Sequence, residues 1–274
     1  MPRQLHQVGA LHSGAAIKTL KYFIDQEGIG GNLALCYDFA AEDTYPGSGQ
    51  SIFDLTTGDI DSYLGATGSA DGDEPTFNGS AGGLSSSECL SVDGGDFTRL
   101  ISANPTAIEN LHKNNADFTI MAIWYHKTVG ANNVGIFGSD GGSAAKIGIR
   151  WWFAGAEKPR FTVSASGSFA IDAEATGTAL TNNAWHIMFL SYDEASSSGF
   201  QVVNESSVHT ISAAYSTPSA SAASHKAELF ASGNAALKAL TGTRMAGFAL
   251  WTESLTDAEC DSLSAAINAE RSYY

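Results

Sequence analysis

The segment "KIGIRWWFAG" sets Arg150 and Trp152 two positions apart, interleaved with Trp151 and Phe153. Alternate side chains of a strand face opposite ways, so if Trp151 and Phe153 point to a core, Arg150 and Trp152 point to the other side. An indole beside a guanidinium on an open sheet face has the chemistry of a carbohydrate platform: the ring stacks on the apolar face of a pyranose while the cation takes its polar groups. If a second layer covers that face, the same two residues are core. The sequence leaves both readings open.

A second group of candidates is carboxylic. Asp71, Asp73 and Glu74 lie in "DGDE", Asp93 and Asp96 in "DGGD", and Asp140 in "GSDGG". Clusters of this kind supply the oxygen ligands that calcium takes, but none has the full spacing of an EF-hand loop. Asp-Gly is also common tight-turn chemistry, and the turn reading is favoured. No cofactor and no metal ligand are therefore expected, with calcium left open. Other chemistry lacks its motifs: there is no G-x-S-x-G, P-loop, H-E-x-x-H or G-x-G-x-x-G, and the seven histidines are scattered singly. Cys36, Cys89 and Cys260 have no C-x-x-C spacing and read as small core residues of a reducing compartment.

From residue 32 onward the hydrophobic period is mostly two, broken by Gly, Ser, Asn and Asp clusters every ten or so residues, which predicts an antiparallel all-β domain. "DFTIMAIWYHK" turns Phe118, Ile120, Ala122 and Trp124 to one face. "IMFLSY" is apolar on both faces and predicts a central strand covered twice. By the same apolar alternation, Trp185 and Trp251 are assigned to the core. Two stretches depart from the strand period. Residues 13–27 carry Ile17, Leu20 and Ile24 at helical spacing, with Phe23 beside them and Gly28, Gly30 and Gly31 ending the helix. At the other end, Thr256 and Glu259 form a capping box that opens a helix with Cys260, Leu263 and Ile267 on one face.

Only 16% of the residues are charged, yet acids outnumber bases 29 to 14, a net charge of −15. Neutralising phosphates needs a basic face, so nucleic acid is not an expected partner, and anionic membranes are disfavoured likewise. Lys18 and Lys21 interrupt the run that a secretory signal needs, and no segment is apolar for long enough to span a bilayer. The chain is expected to be made in the cytoplasm without a cleaved signal and without membrane insertion.

The order of segments resembles the laminin-G-like branch of the concanavalin-A-like lectin/glucanase jelly rolls, from about Leu33 to Ile267. The pieces that carry it are "LCYDFAAEDTYPGSGQSIFDLTTGD", "DFTIMAIWY", "WHIMFLSYDEASSSGFQVVNE" and the closing "GFALWTESLTDAECDSL", with Asn204-Glu205 where such hairpins often have Asn-Gly. The resemblance implies an all-β, concanavalin-A-like antiparallel jelly-roll sandwich. Its glucanase members are expected to carry Glu-x-Asp-x-x-Glu on one strand, and that spacing is absent. The organisation expected is a helical docking arm over 1–31 and a laminin-G-like domain over 32–274 with a short C-terminal helix. The arm would dock on a partner through Ile17, Leu20, Phe23 and Ile24, and a chain starting at residue 32 would fold alone. The function expected is that of a non-enzymatic virion surface protein, a decoration, fibre or tail-tip component of a bacteriophage assembled in the host cytoplasm. It would contact other virion proteins and itself, as a homo-oligomer, and cell-surface glycans through Arg150 and Trp152. A cellular carbohydrate-binding protein or adhesin is the alternative, and a glycan-cleaving enzyme with unrecognised carboxylates a third.

Overall fold

In the computed structural model, which describes residues 18–130, 132–155, 157–177 and 179–274, the period-two segments form sixteen strands. They are β1 Leu33–Asp38, β2 Ser51–Ile52, β3 Ser62–Leu64, β4 Thr76–Asn78, β5 Cys89–Ser91, β6 Thr98–Leu100, β7 Asp117–His126 and β8 Asn133–Gly138. The rest are β9 Ile147–Ala154, β10 Pro159–Ala165, β11 Phe169–Glu174, β12 Ala184–Asp193, β13 Ser198–Val203, β14 Ser206–Ile211, β15 Glu228–Leu229 and β16 Arg244–Trp251. Helix α1 spans Leu20–Gln26, α2 Thr106–Glu109 and α3 Asp257–Arg271.

The strands make two eight-stranded antiparallel sheets. The first runs β14-β13-β12-β7-β16-β5-β4 with β1 also paired to β16, and the second runs β11-β10-β9-β8-β15-β6-β3-β2. The fold is an all-β antiparallel jelly-roll sandwich. Its main core lies between the sheets and is aromatic: Phe118, Trp124, Phe137, Trp151, Phe153, Phe161 and Phe248 are all buried there. The "IMFLSY" strand, β12, sits between β7 and β13 and is buried on both faces, as its composition predicts. The β13–β14 hairpin turns through Asn204 and Glu205 at φ 47° and 60°, the left-handed pair that a two-residue type I′ loop requires. Asn adopts this conformation readily, and here Glu205 takes the position usually given to glycine.

A second hydrophobic layer covers the outer face of the first sheet. Met121, Ile123, Ile187, Phe189, Ala249 and Trp251 project outward there and are closed over by α1 and α3. Helix α3 starts as its sequence predicts: the Thr256 hydroxyl accepts from the Glu259 amide, and the Glu259 carboxylate accepts from the Thr256 amide at 2.7 Å. Cys260, Leu263 and Ile267 then face the sheet.

Helix α1 is not a free arm. Leu20, Phe23 and Ile24 are buried in this same layer, and the Trp251 indole donates to the Ile29 carbonyl at 2.7 Å. Docking on a partner through Leu20, Phe23 and Ile24 is corrected accordingly, while Ile17 lies outside the described residues. The reason is that the first sheet is apolar on both sides, so its outer face needs more cover than α3 alone gives. Burial of Leu20, Phe23 and Ile24 contributes roughly 1.5–3 kcal/mol each, all of it within the chain. A polar clamp completes the attachment. Asp38 on β1 accepts from Arg271 at 2.8 and 2.7 Å and from the Leu20 amide at 2.6 Å, and Arg271 also donates to the Lys18 carbonyl at 3.0 Å. A boundary at residue 31 therefore cuts through one packed unit.

Candidate functional site

The pleat of β9 is as the sequence predicts. Ile149, Trp151 and Phe153 enter the core, where the Trp151 indole donates to Gln201 at 3.0 Å, and Arg150 and Trp152 take the outer face of the second sheet. Register then closes this face. Arg160 lies opposite Trp152 across β10, and the Arg150 and Arg160 guanidiniums sit 4.4 and 5.3 Å from the Trp152 ring. Each cation is already paired. Arg150 donates to Thr162 at 3.0 Å and meets Asp140 at 3.2 Å, while Arg160 forks onto Asp172 at 2.6 and 2.5 Å. Burial pushes the Arg150 pKa down and that of Asp140 up, the latter against the pull of the Arg150 charge. Trp152 retains 7% of its exposure. That is too little for a sugar ring to stack on, so the platform expected at Arg150 and Trp152 is an internal cation–π stack.

The carboxylate clusters are occupied by their own turns. Glu74 accepts from the Asp71 and Gly72 amides, Asp71 from the Asp73 amide at 3.1 Å, and Asp73 pairs with Lys238 at 3.3 Å. Asp96 accepts from the Asp93 amide at 2.8 Å and Asp93 from the Gly95 amide at 2.9 Å. Burial, aided by the neighbouring Asp93, pushes the Asp96 carboxyl up to about 6. Among the described residues no group of three or more His, Cys, Asp or Glu is placed to hold a metal ion. The three cysteines are free and buried, and burial raises the pKa of each. Of the histidines, His126 is the most embedded in chemistry: it lies 2.6 Å from Glu157, whose carboxylate also accepts from the Val129 and Gly130 amides. Burial lowers the His126 pKa despite that carboxylate.

Open aromatic surface lies instead on the first sheet, past the end of α3. Arg244, Tyr125 and Trp185 stand directly across from one another on β16, β7 and β12. The Arg244 guanidinium is 5.0 Å from the Tyr125 ring, the Tyr125 and Trp185 rings meet edge to face at 5.4 Å, and Tyr273 backs Trp185 at 5.2 Å. Tyr125 and Trp185 are half-buried, and Arg244 is exposed. In the neighbouring row Lys127 donates to Asn183 at 2.5 Å. The side-chain polar atoms of the three-residue row have no hydrogen-bond partner among the described residues, their backbones being paired in the sheet. Elsewhere Trp124, Trp151 and Trp251 each donate inward, to His126, Gln201 and the Ile29 carbonyl. Trp185 is the indole whose N–H is both unpaired and open to solvent, since the unpaired Trp152 N–H is shut in. The arrangement is a shelf of two rings edged by donors.

No protein-family model matches the chain, and no curated protein matches it in sequence. In structure it is similar to Trypanosoma rangeli sialidase in complex with sialic acid, with a TM-score of 0.57 and 11% identity over 94% of this chain and 35% of that one. It is also similar to the binding domain of botulinum neurotoxin DC in complex with SialylT, with a TM-score of 0.55 and 8% identity over 87% of this chain and 52% of that one. The binding domain of Paraclostridial mosquitocidal protein 1 gives 0.57 and 11% over 86% and 52%. The chain spans about a third of the sialidase and about half of the toxin domains. At these identities the likeness is one of fold alone, an antiparallel β-sandwich.

Sequence reasoning missed the shelf because it assigned Trp185 to the core. Trp251 is buried, as expected, but Trp185 is half-buried on the outer face. The apolar neighbours that prompted the assignment, Ile187 and Phe189, do face outward with Trp185, but α1 and α3 cover them and stop short of it. Strict alternation held the missing signal: Tyr125 follows Trp124, which faces the main core.

Proposed function

We propose that this chain is a non-enzymatic carbohydrate-binding module of the laminin-G-like branch, which engages glycans through the Arg244–Tyr125–Trp185 shelf. The observation that carries the reading is the row of two half-exposed rings with unpaired donors on three adjacent strands. A pyranose has an apolar face that suits ring stacking and a rim of hydroxyls that suits those donors. Three paired strands hold the row rigid, so little ordering opposes binding. The neighbours in fold include binding domains and a sialidase in complex with sialic acid, in keeping with this reading.

Within the same proposal, the module is displayed on a virion assembled in a host cytoplasm, where it contacts other virion proteins and further copies of itself. Support for that part comes from sequence: low charge density, strong net negative charge and the lack of a recognisable catalytic set. The protein inventory of purified particles tests it, and consistent absence of the chain from them removes it. For glycan binding, the protein is applied to a glycan array and the hits are titrated by calorimetry. Trp185→Ala is expected to weaken binding about tenfold, as loss of roughly 1.4 kcal/mol does, whereas Trp152→Phe leaves it unchanged. Equal binding by Trp185→Ala and the parent protein refutes the shelf.

A further inference from the structure

In a chain with two acids for every base, the described arginines other than Arg244 each find a carboxylate. Arg99 pairs with Glu228 at 2.6 Å, Arg150 with Asp140, Arg160 with Asp172 and Glu174, and Arg271 with Asp38. Arg244 is the exception among the described arginines. It is exposed, it lies over the Tyr125 ring, and no carboxylate among the described residues pairs with it. Lys127, just past the end of β7 and two positions along from Tyr125, likewise meets an amide rather than an acid. Arg244 therefore holds an exposed guanidinium charge, free of a carboxylate partner among the described residues, beside the aromatic shelf.

Resting on the carbohydrate reading above, we propose that the shelf selects acidic saccharides: the sugar ring lies on Tyr125 and Trp185, and its anionic substituent sits against the Arg244 guanidinium. Arg suits this role because its planar fork matches two oxygens of one acid group. Lys127 adds a second positive charge near the row. The net charge of −15 does not prevent this, because at physiological ionic strength fields from charges more than about 8 Å away are largely screened, leaving the local cations to dominate. A carboxylate and a sulfate ester share the required chemistry, and the experiment separates them.

Three oligosaccharides of equal length serve as probes for the intact chain: a hexuronic-acid tetrasaccharide, its carboxyl-reduced neutral counterpart, and an O-sulfated form of the neutral one. The expected result is at least tenfold tighter binding of an anionic probe than of the neutral one, with the advantage shrinking as salt is raised. Arg244→Gln removes the advantage of the anionic probes over the neutral one, and Arg244→Lys restores part of it. Preference for the carboxylated probe alone assigns a sugar acid, and preference for both anionic probes assigns any singly charged substituent. If all three bind alike, or if Arg244→Gln keeps the parent's preference, anion selection is overturned while the shelf stands. If none binds, and Trp185→Ala matches the parent across the array, selectivity and the carbohydrate reading fall together.

Discussion

Breaking the Asp38–Arg271 pair tests whether α1 belongs to the folded unit. Both side chains are fully buried, joined by two parallel hydrogen bonds of 2.8 and 2.7 Å, and Asp38 further caps the Leu20 amide at 2.6 Å. Arg271→Met keeps an apolar stem near Phe23 but leaves the Asp38 carboxylate buried without its counter-charge. Removing one partner of such a pair costs about 3–5 kcal/mol, a large share of the roughly 5–15 kcal/mol that holds a domain folded. With a urea dependence of about 1–3 kcal/mol per molar, the midpoint should fall by at least about 1 M. Intrinsic tryptophan fluorescence reads the transition, because Trp251 lies in the same layer. Native-state hydrogen exchange locates the weakness, with the α1 amides Leu20 to Ile24 expected to lose protection first. Lys18→Ala is the control: Lys18 and Glu270 form an exposed pair at 2.6 Å, and such pairs contribute little. If Arg271→Met unfolds at the same urea concentration as that control, the clamp does not hold α1, and the case for α1 as part of the unit loses its polar half.

Further expectations follow from the same packing. Trp251→Ala should cost about 3–5 kcal/mol because it empties the second layer and strands the Ile29 carbonyl, whereas Trp185→Ala should stay below about 1.5 kcal/mol; equal losses in chemical denaturation mean that the shelf is core. Gly135→Ala puts a β-carbon 2.6 Å from the Ala231 backbone and should cost about 1–3 kcal/mol, and a neutral outcome in a thermal melt shows that the loop after β15 does not press on β8. Burial lowers the pKa values of His112, His126 and His186, so below pH 6.5 the unfolded chain takes up protons that the folded chain refuses, and stability falls with pH until the folded pKa values are passed. Asp96, raised to about 6, acts in the opposite sense from there down to its unfolded value. His126→Gln should make the slope of stability between pH 6.5 and 5 shallower, by up to about 1.4 kcal/mol per pH unit, and an unchanged slope shows that His126 does not titrate there.

The sequence by itself determined the class of fold and the local elements. Alternation fixed which side of β9 carries Trp151 and which carries Trp152, the composition of "IMFLSY" fixed a twice-covered strand, and Thr256 with Glu259 fixed where α3 begins. These are legible because period and capping are properties of a few neighbouring residues. What covers an outward face is not such a property. Trp152 and Trp185 both leave the main core, yet one is closed by guanidiniums delivered in register from β10 while the other is left half open where the covering helices end. The fate of α1 was equally non-local, since its apolar face is the same whether it meets a partner or its own sheet. Only the packed sandwich, with an outer face too apolar to leave bare and a buried Asp38 waiting for Arg271 from the far end of the chain, decided that it folds back.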